Sequence, residues 1–169
     1  MSDLPQKEAP ESALLRERRE RLTRLTGAPL RTPKGPPTTP ERARYLREEA
    51  EELYWNELEW EKLTSEEMRT GGSELVELAF PGFLAFIDGL LLKVVNRDSQ
   101  APASPRPEVV EDILLFLSRR YLELLAETEP ARRLEREMTE RLIDLVLYRL
   151  HGLPVDGFDP FALSRHDDD

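Results

Sequence analysis

The sequence predicts an all-α protein: a four-helix-bundle-like domain over residues 40–153, with an N-terminal helical arm and a short irregular C-terminal tail. Three observations predict this class. Apolar residues recur at helical spacing in four long segments. Residues that favour helix starts and stops bound these segments, and the chain lacks the alternation of apolar and polar residues that is typical of strands. Four helices joined by short connections are the elements of a helical bundle.

Residues 1–39 are predicted to form a flexible basic arm ahead of the bundle. Segment 11–26 can form a helix whose apolar stripe consists of Leu15, Leu22 and Leu25. Arginines surround this stripe, and we expect it to be too thin to pack in a core. Residues 27–40 contain five prolines, which predicts a semi-rigid linker of polyproline-II character that packs poorly.

The first bundle helix is predicted to begin at Pro40 and to continue to about residue 69. Thr39 is a suitable N-cap, because its hydroxyl can accept a hydrogen bond from a backbone N–H of the first turn. Proline is also favoured at the first helical position. Trp55 lies opposite the apolar face of this helix, among glutamates. An exposed tryptophan in an acidic surface indicates a contact site for a partner.

Residues 74–95 form a long apolar run, which we expect to be the central helix of the bundle. Pro81 would clash with the carbonyl four residues earlier, so the helix is either kinked or split there. Glu77 and Asp88 are eleven residues apart and therefore share one narrow face.

Asp88 is the candidate buried charge. Its carboxylate could pair with an arginine of a neighbouring helix, or it could face solvent. If the carboxyl group is buried and unpaired, its pKa would be raised and it could act as an acid or base. The arginines considered are Arg119, Arg120, Arg141 and Arg149.

Two further helices complete the predicted bundle. One follows Pro107, with apolar residues at the i, i+3, i+4 and i+7 spacing. The other starts near Pro130, and its last part, residues 142–150, is apolar nearly all round and should be buried. Residues 151–154, His-Gly-Leu-Pro, form a strong stop signal, with the histidine placed to interact with the helix dipole. Residues 154–169 are predicted to be an irregular acidic tail.

Composition and charge limit the functional classes. The net charge is −10; residues 1–37 contribute +3 (8 − 5) and the remainder −13 (16 − 29). Such an acidic body repels nucleic acid and anionic lipid, so there is no strong nucleic-acid signal. Cysteine is absent, which excludes a disulfide framework, a thiol nucleophile and cysteine-bound zinc. The N-terminus does not have the pattern of a secretory signal, and a bacterial, cytoplasmic protein is expected.

Membrane association through residues 74–95 is one alternative, because this segment is close to the length of a membrane span. Glu77, Asp88 and Lys93 argue against it. A central Asp or Lys costs about 2.5–3.5 kcal/mol on insertion scales. These costs would cancel most of the gain from the leucines, and we do not expect a membrane partner.

A carboxylate–magnesium enzyme is the second alternative. Glu49-x-x-Glu52 is followed by Glu74-x-x-Glu77. This spacing is similar to the two acidic pairs of all-helical nucleotide pyrophosphohydrolases of the MazG type, in which the last position is Asp. The resemblance implies Mg²⁺ bound by these four glutamates. The chain contains seven Glu-x-x-Glu pairs, so the spacing arises easily in so glutamate-rich a sequence. Neither histidine has a glutamate three positions earlier, which argues against a di-iron bundle.

The predicted function is non-catalytic: an interaction, scaffold or accessory subunit that self-associates or joins a larger assembly. Apolar residues expected outside the core motivate this prediction, together with the lack of a converging polar site. The candidate partner-binding residues are Trp55, Leu22, Leu25, Phe158 and Phe161. The two phenylalanines could equally pack on the chain's own surface. The expected partner is another protein or a second copy, and no catalytic residue or cofactor is predicted.

Overall fold

The computed structural model describes residues 8–60, 76–77, 79–91 and 105–153 of the 169-residue chain. Every regular element within these ranges is a helix and none is a strand, which confirms the all-helical class. The helices are α1 (Pro10–Thr26), α2 (Pro40–Trp60), α3 (Pro81–Leu90), α4 (Pro107–Leu125) and α5 (Pro130–Leu150).

Each of the five helices begins at a proline. Proline suits this position because its φ is already near the helical value, and the N–H that it lacks would have no partner within the helix. Thr39 provides the predicted cap of α2: its Oγ1 accepts a hydrogen bond from the Arg42 N–H at 3.3 Å. The structure therefore confirms the predicted start of α2 at Pro40.

α4 is the central helix of the described structure, since it packs against each of the other four. The prediction that residues 74–95 form the central helix is wrong. In the described part of this segment, helix α3 has ten residues and packs against α2, α4 and α5. α4 can occupy the centre because it is apolar on several sides. Its fully buried apolar residues are Val109, Val110, Ile113, Leu114, Leu117 and Leu124.

α1 belongs to the core, contrary to the prediction of an exposed arm. Leu15 and Leu22 are 2% and 0% exposed and lie in the same hydrophobic cluster as the residues of α4 and α5. Arg18 lies between them on the same stripe and is also buried. The stripe is as thin as the sequence indicates, but an ion pair of Arg18 with Asp144 of α5 allows it to pack.

The proline-rich linker between α1 and α2 lies against the helices, which corrects the expectation that it packs poorly. Leu30 is partly buried against the core. The Arg31 carbonyl accepts a hydrogen bond from His151 Nδ1 at 3.0 Å. Arg106, just before α4, donates to Thr38 Oγ1 at 3.1 Å. These contacts fasten the linker at both of its ends.

α3 begins at Pro81, so the apolar segment is split there, one of the two predicted forms. Glu57 of α2 caps its start. The Glu57 carboxylate accepts hydrogen bonds from the Gly82 N–H at 2.7 Å and from the Phe83 N–H at 2.6 Å. These N–H groups have no partner within α3, and a negative charge is favourable at this end of a helix. The contact gives the Glu57 carboxylate its partners where α2 packs against α3.

α5 ends where the sequence predicts. Gly152 has a φ of 62°, in the left-handed region that glycine adopts without strain. The Leu153 N–H donates to the Tyr148 carbonyl at 3.0 Å, and the Gly152 N–H donates to the Arg149 carbonyl at 3.3 Å. This pair of hydrogen bonds is the Schellman motif.

His151 has a different role from the expected interaction with the helix dipole. It is 7% exposed, and burial lowers the pKa of its imidazole, which favours the neutral ring. Its Nδ1–H donates to the Arg31 carbonyl, and its Nε2 accepts a hydrogen bond from Arg19 Nε at 3.0 Å. The neutral ring thus links α1, the linker and the end of α5.

None of the helices that the structure describes is both long and apolar enough to cross a membrane.

Glu57→Ala should lower the free energy of unfolding by about 1–2 kcal/mol, because two N–H groups at the start of α3 lose their acceptor. Urea denaturation of the full chain measures this loss. Glu48→Ala, an exposed position on the same helix, is the matched control and should change stability far less. Equal effects of the two substitutions would contradict the capping role of Glu57.

Candidate interaction site

Asp88, the candidate buried charge, is paired and partly exposed. Arg149 Nε donates to Asp88 Oδ1 at 3.0 Å, and the Asp88 side chain is 23% exposed. The same guanidinium lies 3.6 Å from Glu77, so both carboxylates face one arginine of α5. Arg149 is one of the four arginines considered as partners. The acid–base alternative required an unpaired buried carboxylate, and Asp88 is not one.

Among the described residues, the fully buried carboxylate is Asp144 of α5, which lies in the segment 142–150 predicted to be apolar nearly all round. Its side chain is 0% exposed, and both of its oxygens lie 3.2 Å from Arg18 Nη1. Burial raises the pKa of Asp144 to about 7, although Arg18 acts in the opposite direction. An arginine between Leu15 and Leu22 on the apolar stripe of α1 was the signal that could have revealed a buried acidic partner.

Two neighbouring groups complete the ionic cluster around Arg18. Glu140, one turn before Asp144, lies 3.2 Å from Arg18 Nη2 and is 21% exposed. Burial and the adjacent Glu140 carboxylate raise the pKa of Tyr121 to about 12, so this phenol stays protonated. Because Asp144 is fully covered by protein, the cluster's role is to attach α1 to α5.

Trp55 is the exposed aromatic residue of α2 that the sequence predicts, with 43% of its surface accessible. The Arg120 guanidinium lies over its ring, 4.8 Å from the centroid. The Tyr54 ring meets it edge-on at 5.2 Å. Arg120 is held in turn by Glu135 at 3.0 Å. The ring is therefore fixed by its neighbours while much of it remains open to solvent.

The exposed side of α2 near Trp55 is acidic and aromatic. Tyr45 is 50% exposed, and its hydroxyl donates to Glu49 Oε1 at 2.8 Å. The Arg42 guanidinium lies 5.2 Å from the Tyr45 ring. Glu52 precedes Trp55 by three residues, which makes the two side chains neighbours on the helix surface. This face of α2 thus combines two exposed aromatic rings with carboxylates.

The carboxylates of the magnesium alternative are described in part. Glu74 lies outside the described residues. Glu77 lies 3.6 Å from Arg149, and Glu49 accepts the hydrogen bond of Tyr45. Within the described ranges there is no group of three or more His, Cys, Asp or Glu side chains that could hold a metal ion.

The other candidate partner-binding residues differ in exposure. Leu22 is fully buried, so its expected exposure is wrong: it belongs to the core contact of α1. Leu25, near the end of α1, is 40% exposed. Phe158 and Phe161 lie outside the described residues. Leu125 at the end of α4 is 47% exposed.

Comparisons of the chain with protein-family profiles, with curated proteins and with solved structures gave no match. The chemistry of the surface around Trp55 is therefore the basis for a functional proposal.

Arg18→Met should lower the free energy of unfolding by about 3 kcal/mol near neutral pH, because it leaves the buried Asp144 without its cation. The double variant Arg18→Met/Asp144→Leu should recover most of this loss, because it removes the cost of desolvating both charges. Denaturant unfolding of wild type, both single variants and the double variant gives the coupling energy. Arg16→Met, at an exposed ion pair, is the control and should have no measurable effect. Additive losses in the double variant would contradict a coupled pair.

Asp144 should make stability fall as the pH rises toward neutrality. Its pKa of about 7 in the folded state exceeds the ordinary value of 3.8, so the folded state retains the proton to higher pH. The resulting stabilisation is fully present below about pH 4 and is lost as the pH rises through about 7. The difference in unfolding free energy between wild type and Asp144→Asn should decline over this window in urea titrations at successive pH values. A difference that stays constant or grows with pH would show that the pKa is not raised.

Proposed function

We propose that this chain is a non-catalytic helical interaction module, a scaffold or accessory subunit that binds a protein partner or a second copy through the exposed face of α2. Trp55 carries the proposal, because it is a large aromatic residue that is 43% exposed yet fixed by Arg120 and Tyr54. A side chain that is already ordered loses less entropy on binding. Tryptophan, tyrosine and arginine are also the residue types that most often dominate binding energy at interfaces.

The exposed part of Trp55 is large enough to matter energetically. A tryptophan side chain presents up to about 250 Å², so covering the exposed 43% would remove about 100 Å² from water. At 25 cal/mol per Å², this burial contributes about 2–3 kcal/mol to association. Tyr45, which is 50% exposed on the same helix, adds a second aromatic contact. Two such anchors are sufficient for the centre of a small interface but need further contacts around them.

The rest of the fold supports this role by holding the face of α2 in place. We interpret α2 to α5 as the bundle-like body and α1 as a fifth helix attached to it by the Arg18–Asp144 pair. α2 is fixed by Tyr54, whose hydroxyl is 2.7 Å from Thr139 Oγ1 of α5, and by the contact of Glu57 with α3. A rigid helix of this kind presents its outer side chains in a constant arrangement. A cytoplasmic location within a larger assembly is part of the proposal.

Site-specific photo-crosslinking tests this proposal. A benzophenone side chain at Glu48, two turns before Trp55 on the exposed side of α2, should give covalent adducts with a partner protein or a second copy in native-cell extract. The adducts should disappear in the Trp55→Ala background, because the partner loses its anchor. The same crosslinker at Glu17 on the exposed side of α1 is the control. Adducts that persist in Trp55→Ala, or that form equally at Glu17, would contradict the proposal.

A further inference from the structure

We infer that the face of α2 binds a basic helical segment of a partner protein. In this arrangement the arginine or lysine side chains of the partner lie along Trp55 and Tyr45 and reach Glu52 and Glu49. The inference rests on the proposed function, because it names the partner class for the same surface.

Two aromatic–carboxylate pairs repeat along the exposed side of α2. Tyr45 and Glu49 form the first, joined by a hydrogen bond of 2.8 Å. Glu52 and Trp55, three residues apart, form the second. The order of the two groups is reversed in the second pair, so Glu49 and Glu52 lie between the two rings, three residues apart and about 4.5 Å apart along the helix axis. Residues three apart are neighbours on the surface of a helix, so the two carboxylates face the same side.

The carboxylates in these pairs are available to a cation. Glu48 and Glu51 lie 3.9 Å and 3.7 Å from arginines of α2 itself. Glu49 and Glu52 have no such ion pair within the part of the chain that the structure describes. A shallow cleft of about 260 Å³ adjoins them. Its lining residues are Glu49, Glu52, Leu53 and Asn56.

The combination of ring and carboxylate matches the chemistry of a basic side chain. Arginine and lysine place their aliphatic stems along apolar surface while the charged end stays in polar surroundings. The exposed part of Trp55, beside the Arg120 guanidinium that lies over its ring, offers the surface for the stem, and Glu52 offers an oxygen acceptor for the charged end. Two basic residues four positions apart on a helix are neighbours on one face, and this spacing would match the neighbouring carboxylates of Glu49 and Glu52.

Charge complementarity favours this occupant over the alternatives. The chain carries a net charge of −10, which attracts a basic segment and repels nucleic acid and anionic lipid. The basic helix α1 of a second copy is a poorer match. Its Arg18 and Arg19 are engaged by Asp144 and Glu111 of their own chain.

Isothermal titration of the full chain with a synthetic helical peptide tests the inference. The peptide has about twenty residues, mainly alanine, with two arginines four positions apart, and a second peptide has glutamates in their place. We expect saturable binding of the arginine peptide that weakens with added salt, and no binding of the glutamate peptide. Glu52→Gln should weaken binding about tenfold, and Trp55→Ala by at least as much. Glu41→Gln, in the first turn of α2, is the matched control and should change affinity less than about twofold.

The other outcomes separate this inference from the proposed function. A third peptide has leucines in place of the arginines. If it binds equally well and its binding depends on Trp55, the inference of a basic partner is contradicted. The proposal that the face of α2 is an interaction surface would still stand. Arginine-peptide binding that is unaffected by both Glu52→Gln and Trp55→Ala would also overturn the inference, because the cations would bind elsewhere on the acidic chain. A dimer of wild type, detected by light scattering and dissociated by Trp55→Ala, would assign the face to a second copy instead. If the arginine peptide does not bind and the crosslinker at Glu48 gives no adducts, the proposed function is contradicted as well.

Discussion

The buried ion pair between Arg18 and Asp144 is the contact on which the position of α1 and its linker depends. Leu15 and Leu22 together supply about 3–6 kcal/mol of apolar burial, which is modest for a helix of seventeen residues. Polar contacts therefore decide where the helix lies. The ion pair favours the observed position of α1, because a displacement of the helix would leave a fully buried carboxylate without its cation.

The same contact organises the neighbouring elements. With Arg18 fixed, the next residue, Arg19, reaches Glu111 of α4 and the Nε2 atom of His151. The neutral imidazole then holds the Arg31 carbonyl at the start of the linker. Because α1, α3 and α5 all pack on α4, the apolar sides of the central helix are covered. The outer face of α2 is left with two exposed aromatic rings, and this is why the functional proposal centres on Trp55.

The features that sequence predicts well depend on residues close together in the chain. The Thr39 cap, the proline starts and the Gly152 stop act within one helical turn, and the exposure of Trp55 follows from helical periodicity. The failures involve distant partners: Arg18 and Asp144 are 126 residues apart. No local pattern shows that a thin apolar stripe is completed by such a pair, or that Arg120 lies over Trp55. The central position of α4 likewise depends on how all five helices pack.

Hydrogen exchange of the backbone amides of α1 in the full chain tests most directly whether this helix is held in the core by a buried ion pair. The amides between Leu15 and Leu22 should be protected to nearly the same extent as those of α4, and Arg18→Met should selectively reduce their protection. Exchange of these amides at the rate of an unstructured peptide in the wild-type chain would contradict the account. That result would restore the exposed basic arm predicted from the sequence.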